Sequence, residues 1–535
     1  MQEISEEKVP EHHSWTKPVI AEFTRRQEEG SKVTDPSAFP LIASSIYAEE
    51  IIAAVDSVLS CQFTMSVKVK EFEKIFAEKV GSPFAVMCNS GSSGNLLAFA
   101  AVFNKMRCKK LSSGCEVLIP AVCWSTSLWP ILQMGLKPVF VDVDPLTLNI
   151  NIRDLQAKIT DSSVAICMVH VLGNTCNMDD LMKIVCKYNL VLIEDTCESL
   201  GSKYDGKSLG TFGDFGTYSF YFSHHITTGE GGMITCKTQE DVDLLKCLRA
   251  HGWSREQSNK DVIHAENPQI DPRFCFINLG YNLRPTEISG ALGLCQIRRL
   301  DSMNSNRNAN RARLIVSIKS HPKWDSQFIF PEAPAKCVPA WFGFVGILPR
   351  NMEYLHKDFL THLTRLGIEN RPIISGNFVN QPAMKILELE DVHKGGPYPG
   401  ADHLGSCGFF IGVHTYPLSE SQITYLTNSL LDFDFKKECV MVTGGTGIVG
   451  SALKEYVEKV GASKTRKWIF LSSMDGDLRN LDETEELFRH YKPKRVVHLA
   501  VKLMAGGDMV VFRFYFIFCE FLICFIGYIW CFASE

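Results

Sequence analysis

A basic block is missing from this chain. Lys and Arg number 55 against 60 Asp and Glu, a formal net charge of −5, which gives no polyanion-binding signature and argues against nucleic acid as a partner. Also missing is any secretory signal, because the first forty residues are polar, carry Glu and Pro early, and never place an apolar segment behind a basic one. The 19 cysteines form no compact even-numbered framework. They are scattered through apolar runs such as "VAICMVHV" (164–171) and "ALGLCQI" (291–297), as reduced, buried thiols are, which predicts a cytoplasmic protein. Internal repeats and low-complexity segments are absent as well.

What is present is an ordinary globular composition, 45% hydrophobic and 21% charged, in a chain of 535 residues, long enough for two or more domains. From about residue 40 to 435, short β-rich runs alternate with stretches of helical length. "FAVMC" (84–88), "EVLIP" (116–120), "KPVFVDV" (137–143), "SVAICMVHV" (163–171) and "LVLIED" (190–195) read as strands, and 151–159 and 178–188 as helices between them. That alternation predicts βαβ units, an α/β fold and a parallel sheet covered on both faces. Beyond residue 300 a helix and then mixed elements predict a smaller α+β subdomain.

Three segments carry chemistry. "NSGSSGNLLAFAAVF" (89–103) sets small residues between a strand and a helix, where free N–H groups and the helix dipole favour a phosphate; an ordinary helix cap explains it as well. "LVLIEDTCESLGS" (190–202) ends a strand on an acidic pair, putting Asp195 at the ligand edge of a parallel sheet, with a helix cap as the plain alternative. "SFYFSHHITTGEGG" (219–232) follows a strand with a histidine pair and a glycine-rich turn, and contains no lysine.

In this order the three segments resemble the DegT/DnrJ/EryC1/StrS family of nucleotide-sugar aminotransferases and dehydratases, over about residues 38 to 433. The resemblance implies the fold-type I architecture of pyridoxal-phosphate enzymes and a homodimer. It implies that Trp124 in "AVCWSTSLWP" stacks on the cofactor ring, that Gly91, Ser92 and Ser219 hold its phosphate, and that Asp195 pairs with its pyridine nitrogen. Asn282, in "NLGYNLRPTEISGALG" (278–293), would reach the neighbouring subunit's phosphate. Most of the family has, at the position of His224, the lysine that tethers the cofactor. Imidazole cannot form that link but can move a proton near neutral pH. This exchange marks the 3-dehydratase branch, which expels the C3 hydroxyl of CDP- or GDP-linked 4-keto-6-deoxyhexoses on the way to 3,6-dideoxysugars, with pyridoxamine 5'-phosphate as the working cofactor. His224 would be the catalytic base; Glu198 and His251 (in "RAHGWSR") also match positions near the substrate. CDP-specific members carry a [2Fe–2S] cluster, and although Cys197 stands where the first ligand would be, residues 248–274 hold no cysteine. The resemblance therefore favours the cluster-free kind, which acts on a GDP-linked 4-keto-6-deoxyhexose (the 4-keto-6-deoxy-D-mannose sugar of colitose-type synthesis) and takes its amino group from glutamate. An aminotransferase, a CDP-sugar dehydratase and a non-catalytic sugar-nucleotide binding module are the alternatives.

A second unit starts after "DFDFKK". "CVMVTGGTGIVGSALKEYV" spaces Gly444, Gly447 and Gly450 between a strand and a helix, the pattern of a dinucleotide-binding turn. With the strands expected in "WIFLSSMDGDLRN" and "KRVVHLA", it resembles the N-terminal part of the GDP-L-fucose synthase kind of short-chain dehydrogenase, which uses NADP(H). The Tyr-x-x-x-Lys pair of that family does not occur after residue 507. The expected organisation is a polar extension (1–37), the PLP-dependent domain (38–435), a partial Rossmann segment (438–507) and a hydrophobic tail (508–535). In that tail, 509–533 is apolar enough to span a membrane but is interrupted by Arg513 and Glu520. A truncated or misjoined reading frame is the expectation there, a tail anchor or membrane-anchored scaffold the alternative.

Overall fold

The computed structural model describes residues 14–33, 38–107, 114–389, 396–436, 438–460, 466–491, 493–499, 512–518 and 527–529. It falls into two compact units, one of Met1–Pro322, Ile329–Ile347 and Leu363–Thr427, the other of Lys323–Phe328, Leu348–His362 and Asn428–Glu535.

The first unit is built on strands β1 (Phe84–Cys88), β2 (Glu116–Pro120), β3 (Lys137–Val141), β4 (Ser163–Val169), β5 (Val191–Asp195), β6 (Phe215–Ser219) and β7 (Gly232–Cys236), with helices α1 (Val67–Val80), α2 (Gly91–Val102), α3 (Ser125–Gln133), α4 (Met178–Tyr188), α5 (Gln239–Arg249) and α6 (Glu287–Ser320). The sheet order is β1-β7-β6-β5-β4-β2-β3. From β6 across to β3 neighbouring strands are parallel, whereas β7 runs antiparallel to both β1 and β6. Every residue of β5, β6 and β7 is buried, and for β5 that two-sided burial is the reason 190–195 reads as a continuous apolar run. On one face Met87, Tyr218 and Met233 pack with Phe72 and Phe76 of α1 and Ile297 of α6. On the other, Leu118, Ile166 and Leu192 pack with Leu181 and Ile184 of α4. The expected two-sided cover is thus present.

Two strands are shorter than their apolar runs. The run 137–143 stops at Val141 because Asp142 turns away to accept the N–H groups of Gly400 and Ala401, both at 2.9 Å. The run 163–171 stops at Val169, after which His170 N donates to Asp195 O at 3.0 Å and Leu172 takes a left-handed φ of 50°. The helices expected at 151–159 and 178–188 are Ile152–Lys158 and Met178–Tyr188, each begun by an asparagine, Asn151 or Asn177, whose side chain accepts two first-turn N–H groups. A second, antiparallel sheet follows, β8 (Gly343–Ile347), β9 (Asn370–Arg371) and β10 (Gly408–Gly412), in the order β8-β10-β9. Within the expected polar extension, Thr16–Val33 is a helix; residues 1–13 and 34–37 lie outside the described residues.

In the second unit, β11 (Glu438–Thr443), α7 (Ile448–Lys459), β12 (Arg466–Leu471), α8 (Leu481–Tyr491) and β13 (Arg495–His498) form a strand–helix alternation with β11 parallel to both β12 and β13. Its core is Met441, Leu471, Leu487 and Val496. Strands β14 (Phe512–Phe518) and β15 (Gly527–Ile529) extend this sheet antiparallel. The rest of the apolar stretch 509–533 lies outside the described residues, and no helix among the described residues is long and apolar enough to cross a membrane.

Candidate active site

The site assembles at the C-terminal edge of the parallel strands. Asp195 closes β5 and is buried. Its Oδ2 accepts Asn95 Nδ2 of α2 at 2.8 Å and Ser127 Oγ of α3 at 2.6 Å, and its Oδ1 accepts the N–H of Cys197 at 3.2 Å. Of the roughly four lone-pair positions of a carboxylate, one is left for a further donor. Thr217 Oγ1 donates to Asn95 Oδ1 at 2.6 Å and so fixes the amide that fixes the carboxylate. The acidic pair divides its work: Glu194 points the other way, accepting the N–H groups of Gly210, Phe212 and Gly213 at 2.9, 2.7 and 2.7 Å and bonding His170 Nε2 at 3.1 Å.

Beside Asp195, α2 starts at Gly91. Ser90 caps the helix by accepting the N–H of Ser93 at 3.1 Å, which leaves the N–H groups of Gly91 and Ser92 to a ligand at the positive end of the dipole. A Cβ at position 91 would sit 2.6 Å from Ser219 Cβ and 2.9 Å from Cys197 Sγ, so only glycine lets the helix start approach β6 this closely. Ser219 ends β6 and Ser92 Oγ bonds Thr126 Oγ1 at 2.9 Å, which ties the cradle to the start of α3. At that start stands Trp124, 57% exposed, with its indole face open.

His224 lies on the turn after β6, its N–H donating to Tyr221 O at 2.9 Å. The ring is half-buried, lies 5.4 Å from the Phe342 ring, and has a buried Nδ1 with no partner. Burial pushes its pKa down to about 4, with the Asp195 carboxylate opposing, so at neutral pH the imidazole is an uncharged base. The adjacent His225 is fully buried and bonds Ala340 O at 2.8 Å, a packing role. Glu198 is held by the N–H of Leu172, 3.1 Å from its Oε2, and burial, with Asp195 adding to it, pushes its pKa up to about 7.

Two expected site residues stand elsewhere in the chain. His251, with φ 62°, donates its N–H to Tyr281 O at 2.7 Å, and Ala250 bridges to Asn282. The His251 ring packs 4.6 Å from Trp253, and the exposed Asn282 accepts Arg284 Nε at 3.0 Å. Neither touches Asp195, Ser219 or His224. Exposed apolar side chains surround them, among them Phe274, Phe276 and Leu279. Cys197 belongs to no set of metal-ligating side chains among the described residues; the one such group is Glu49, Glu50 and Cys295, whose two carboxylates pair with Arg298 and Arg299.

A model of the DegT/DnrJ/EryC1/StrS aminotransferase family matches residues 45–414. The chain belongs to that family. Its relatives include the GDP-4-keto-6-deoxy-D-mannose 3-dehydratase of Escherichia coli O55:H7, 40% identical over 73% of this chain and 99% of that protein. Among solved structures it is similar to the E. coli GDP-4-keto-6-deoxy-D-mannose-3-dehydratase with bound hydrated PLP (38% identity, TM-score 0.66, 73% of this chain and 99% of that one). A second is a GDP-4-keto-6-deoxymannose-3-dehydratase with a trapped PLP-glutamate geminal diamine (37% identity, TM-score 0.66, 73% and 100%). Residues 440–517 match a model of the NAD dependent epimerase/dehydratase family.

The DegT-family site fits a pyridoxal phosphate on its own chemistry: paired N–H groups and Ser219 for the phosphate, an acceptor on Asp195 for a ring N–H, an open indole, and an orphaned imidazole nitrogen. Sequence reading missed Asn95 and Ser127, the two donors that orient Asp195. They lie about seventy to a hundred residues away along the chain, and no spacing rule joins them to it. In the second unit Gly444 has φ 71° and a Cβ at Gly450 would meet Gly444 O at 2.4 Å. That close turn delivers the chain to Gly447, the N-cap of α7, which has no side-chain cap and so leaves first-turn N–H groups for a phosphate.

Proposed function

We propose that the chain is a PLP/PMP-dependent nucleotide-sugar 3-dehydratase, a lyase that removes the C3 hydroxyl of GDP-4-keto-6-deoxy-D-mannose in 3,6-dideoxysugar synthesis and regenerates its cofactor with glutamate. The observation that carries this reading is His224: where the family's tethering lysine is expected, the structure has an uncharged, unpartnered imidazole beside the Asp195 carboxylate. Bound here, pyridoxamine phosphate supplies an amino group to a carbonyl carbon and a protonated ring that takes up electrons. Gly91, Ser92 and Ser219 bind its phosphate, Trp124 covers its ring, and Asp195 holds a proton on the ring nitrogen. His224 would accept the proton that the cofactor's C4′ carbon gives up. Glu198, protonated up to about pH 7, gives a proton to the departing C3 hydroxyl so that it leaves as water. Cys197 without cluster partners favours GDP- over CDP-linked sugar.

His251 and Asn282, set in a patch with exposed Phe276 and Leu279, serve the site of a second subunit in a homodimer. The turn from Gly444 to Gly450 is a site for NADP(H). The test is to incubate the protein with pyridoxal phosphate, glutamate and GDP-4-keto-6-deoxymannose and weigh the product: loss of the C3 hydroxyl supports the reading, and a 4-amino sugar in its place refutes it.

A further inference from the structure

Between β4 and α4 the backbone takes a turn that few side-chain-bearing residues adopt. Leu172, fully buried, has φ 50° and ψ 35°, and Gly173 follows with φ 90°. A left-handed leucine is strained, and such strain persists only where the surroundings over-determine it. Here they do. Val171 N–H donates to Asn149 Oδ1 at 3.1 Å, Gly173 N–H donates to Ser199 Oγ at 3.1 Å, and Gly173 O accepts Ser202 Oγ at 2.8 Å. A Cβ on Gly173 would collide with Ala340 O, so the turn is pressed against residues 340–342.

The strained residue reaches toward both groups proposed to move protons. Leu172 N–H donates to Glu198 Oε2 at 3.1 Å, and Leu172 O accepts the N–H of Phe342 at 3.1 Å. The Phe342 ring in turn lies 5.4 Å from the His224 ring and 5.5 Å from that of His225, whose Nε2 bonds Ala340 O at 2.8 Å. One backbone unit thus braces the acid directly and the base through its aromatic wall. Because the N–H occupies Oε2, the proton of a neutral Glu198 belongs on Oε1, which no described residue bonds. The relative direction of a residue's own N–H and C=O is set by its φ and ψ, so making both bonds at once requires the left-handed turn.

We propose that Leu172 is a positioning residue of the site, a left-handed backbone bracket that orients Glu198 and, through Phe342, the His224 ring. The proposal rests on the dehydratase reading for the roles of those two groups, but the bracket can be read without turnover. Besides the Leu172 N–H, the Asp195 carboxylate acts on Glu198; Asp195 and the Arg307 guanidinium of α6 act on His224. Two substitutions separate backbone from packing. Leu172→Val keeps most of the buried apolar side chain but resists a left-handed φ, whereas Leu172→Gly loses the side chain and adopts that φ freely. The Glu198 carboxyl is titrated by carbon NMR in the full chain loaded with pyridoxal phosphate, its signal assigned by its loss in Glu198→Gln. An N–H donor favours the ionised carboxyl, so Leu172→Val should titrate higher by roughly 1 to 2 pH units, the scale of one hydrogen bond to a charged group. Leu172→Gly should leave the titration in place although it is the less stable protein. A purely packing role predicts the reverse order; that order, equal shifts in both variants, or no shift in Leu172→Val would each overturn the bracket. If Leu172→Val does not fold, the α-hydroxy analogue of leucine at 172, which deletes only the N–H, decides: a raised titration supports the bracket and an unchanged one overturns it. Phe342→Ala opens the wall beside His224 and should move the lower limb of the kcat profile from about 4 toward 6.5 without moving the Glu198 titration. A lower limb that stays would overturn the arm to His224. Failure of the dehydratase reading alone looks different, with the Glu198 titration still following the backbone at 172 but no water lost from the sugar.

Discussion

In the proposed reading the exchange at His224 would act in two ways: it would free the cofactor from a covalent tether, and it would install a base whose working range is set by burial. Because its pKa is pushed down to about 4, its proton-accepting form is present above that pH and is lost as pH falls through it. Glu198, pushed up to about 7, keeps its proton-donating form below that value and loses it as pH rises. A kcat profile that is highest between these limits is therefore expected, and Glu198→Gln should abolish the upper limb while leaving the lower one. A lower limb at the ordinary histidine value of 6.5 would remove His224 from the role of base. His224→Asn should reduce kcat by roughly 10²- to 10⁴-fold with cofactor binding retained, the usual loss of a general base. The lysine's absence was legible in the sequence, but the depressed basicity was not, because it depends on Phe342 and the enclosing loops, more than a hundred residues away.

At the scale of elements, the site is a meeting of strand ends and helix starts. Asp195 is useful because α2 and α3 each send a donor to the same oxygen. Asn95→Ala should cost about 1–3 kcal/mol in the affinity for pyridoxal phosphate, read by equilibrium dialysis, since Asp195 then keeps fewer of its orienting bonds. Ser127→Ala should act in the same direction. Gly91→Ala has a steric rather than a polar effect: with Ser219 Cβ only 2.6 Å from the added methyl, α2 must move off β6. The expected destabilisation is about 1–3 kcal/mol, read as a shift of the denaturant midpoint, together with weakened phosphate binding. Strand positions were readable from apolar runs because this sheet is covered on both faces. Where a run overshot its strand, the reasons differ: Asp142 is recruited by the N–H groups of Gly400 and Ala401, whereas after 169 the chain turns at Leu172, which takes a left-handed φ.

For the molecule as a whole, His251 and Asn282 are the expected site residues that stand apart from Asp195, Ser219 and His224 in the chain. If they serve a partner, mixing His224→Asn and Asn282→Ala proteins should restore activity that neither has alone, up to about a quarter of the unaltered level when subunits exchange freely in a symmetric dimer. Subunit mixing that restores nothing would argue for a site complete within one chain. By itself the sequence determined the α/β pattern, the order of the phosphate, carboxylate and histidine segments, and the glycine turn of the second unit, because strand runs, caps and tight turns are set by neighbours along the chain. The tertiary structure decided which carboxylate of the Glu194–Asp195 pair faces the site, which of the two histidine rings makes no hydrogen bond, and that Arg307 is buried with no counter-charge among the described residues. Each of those depends on the local dielectric and on donors contributed by remote segments, quantities that exist only once the chain has closed around them.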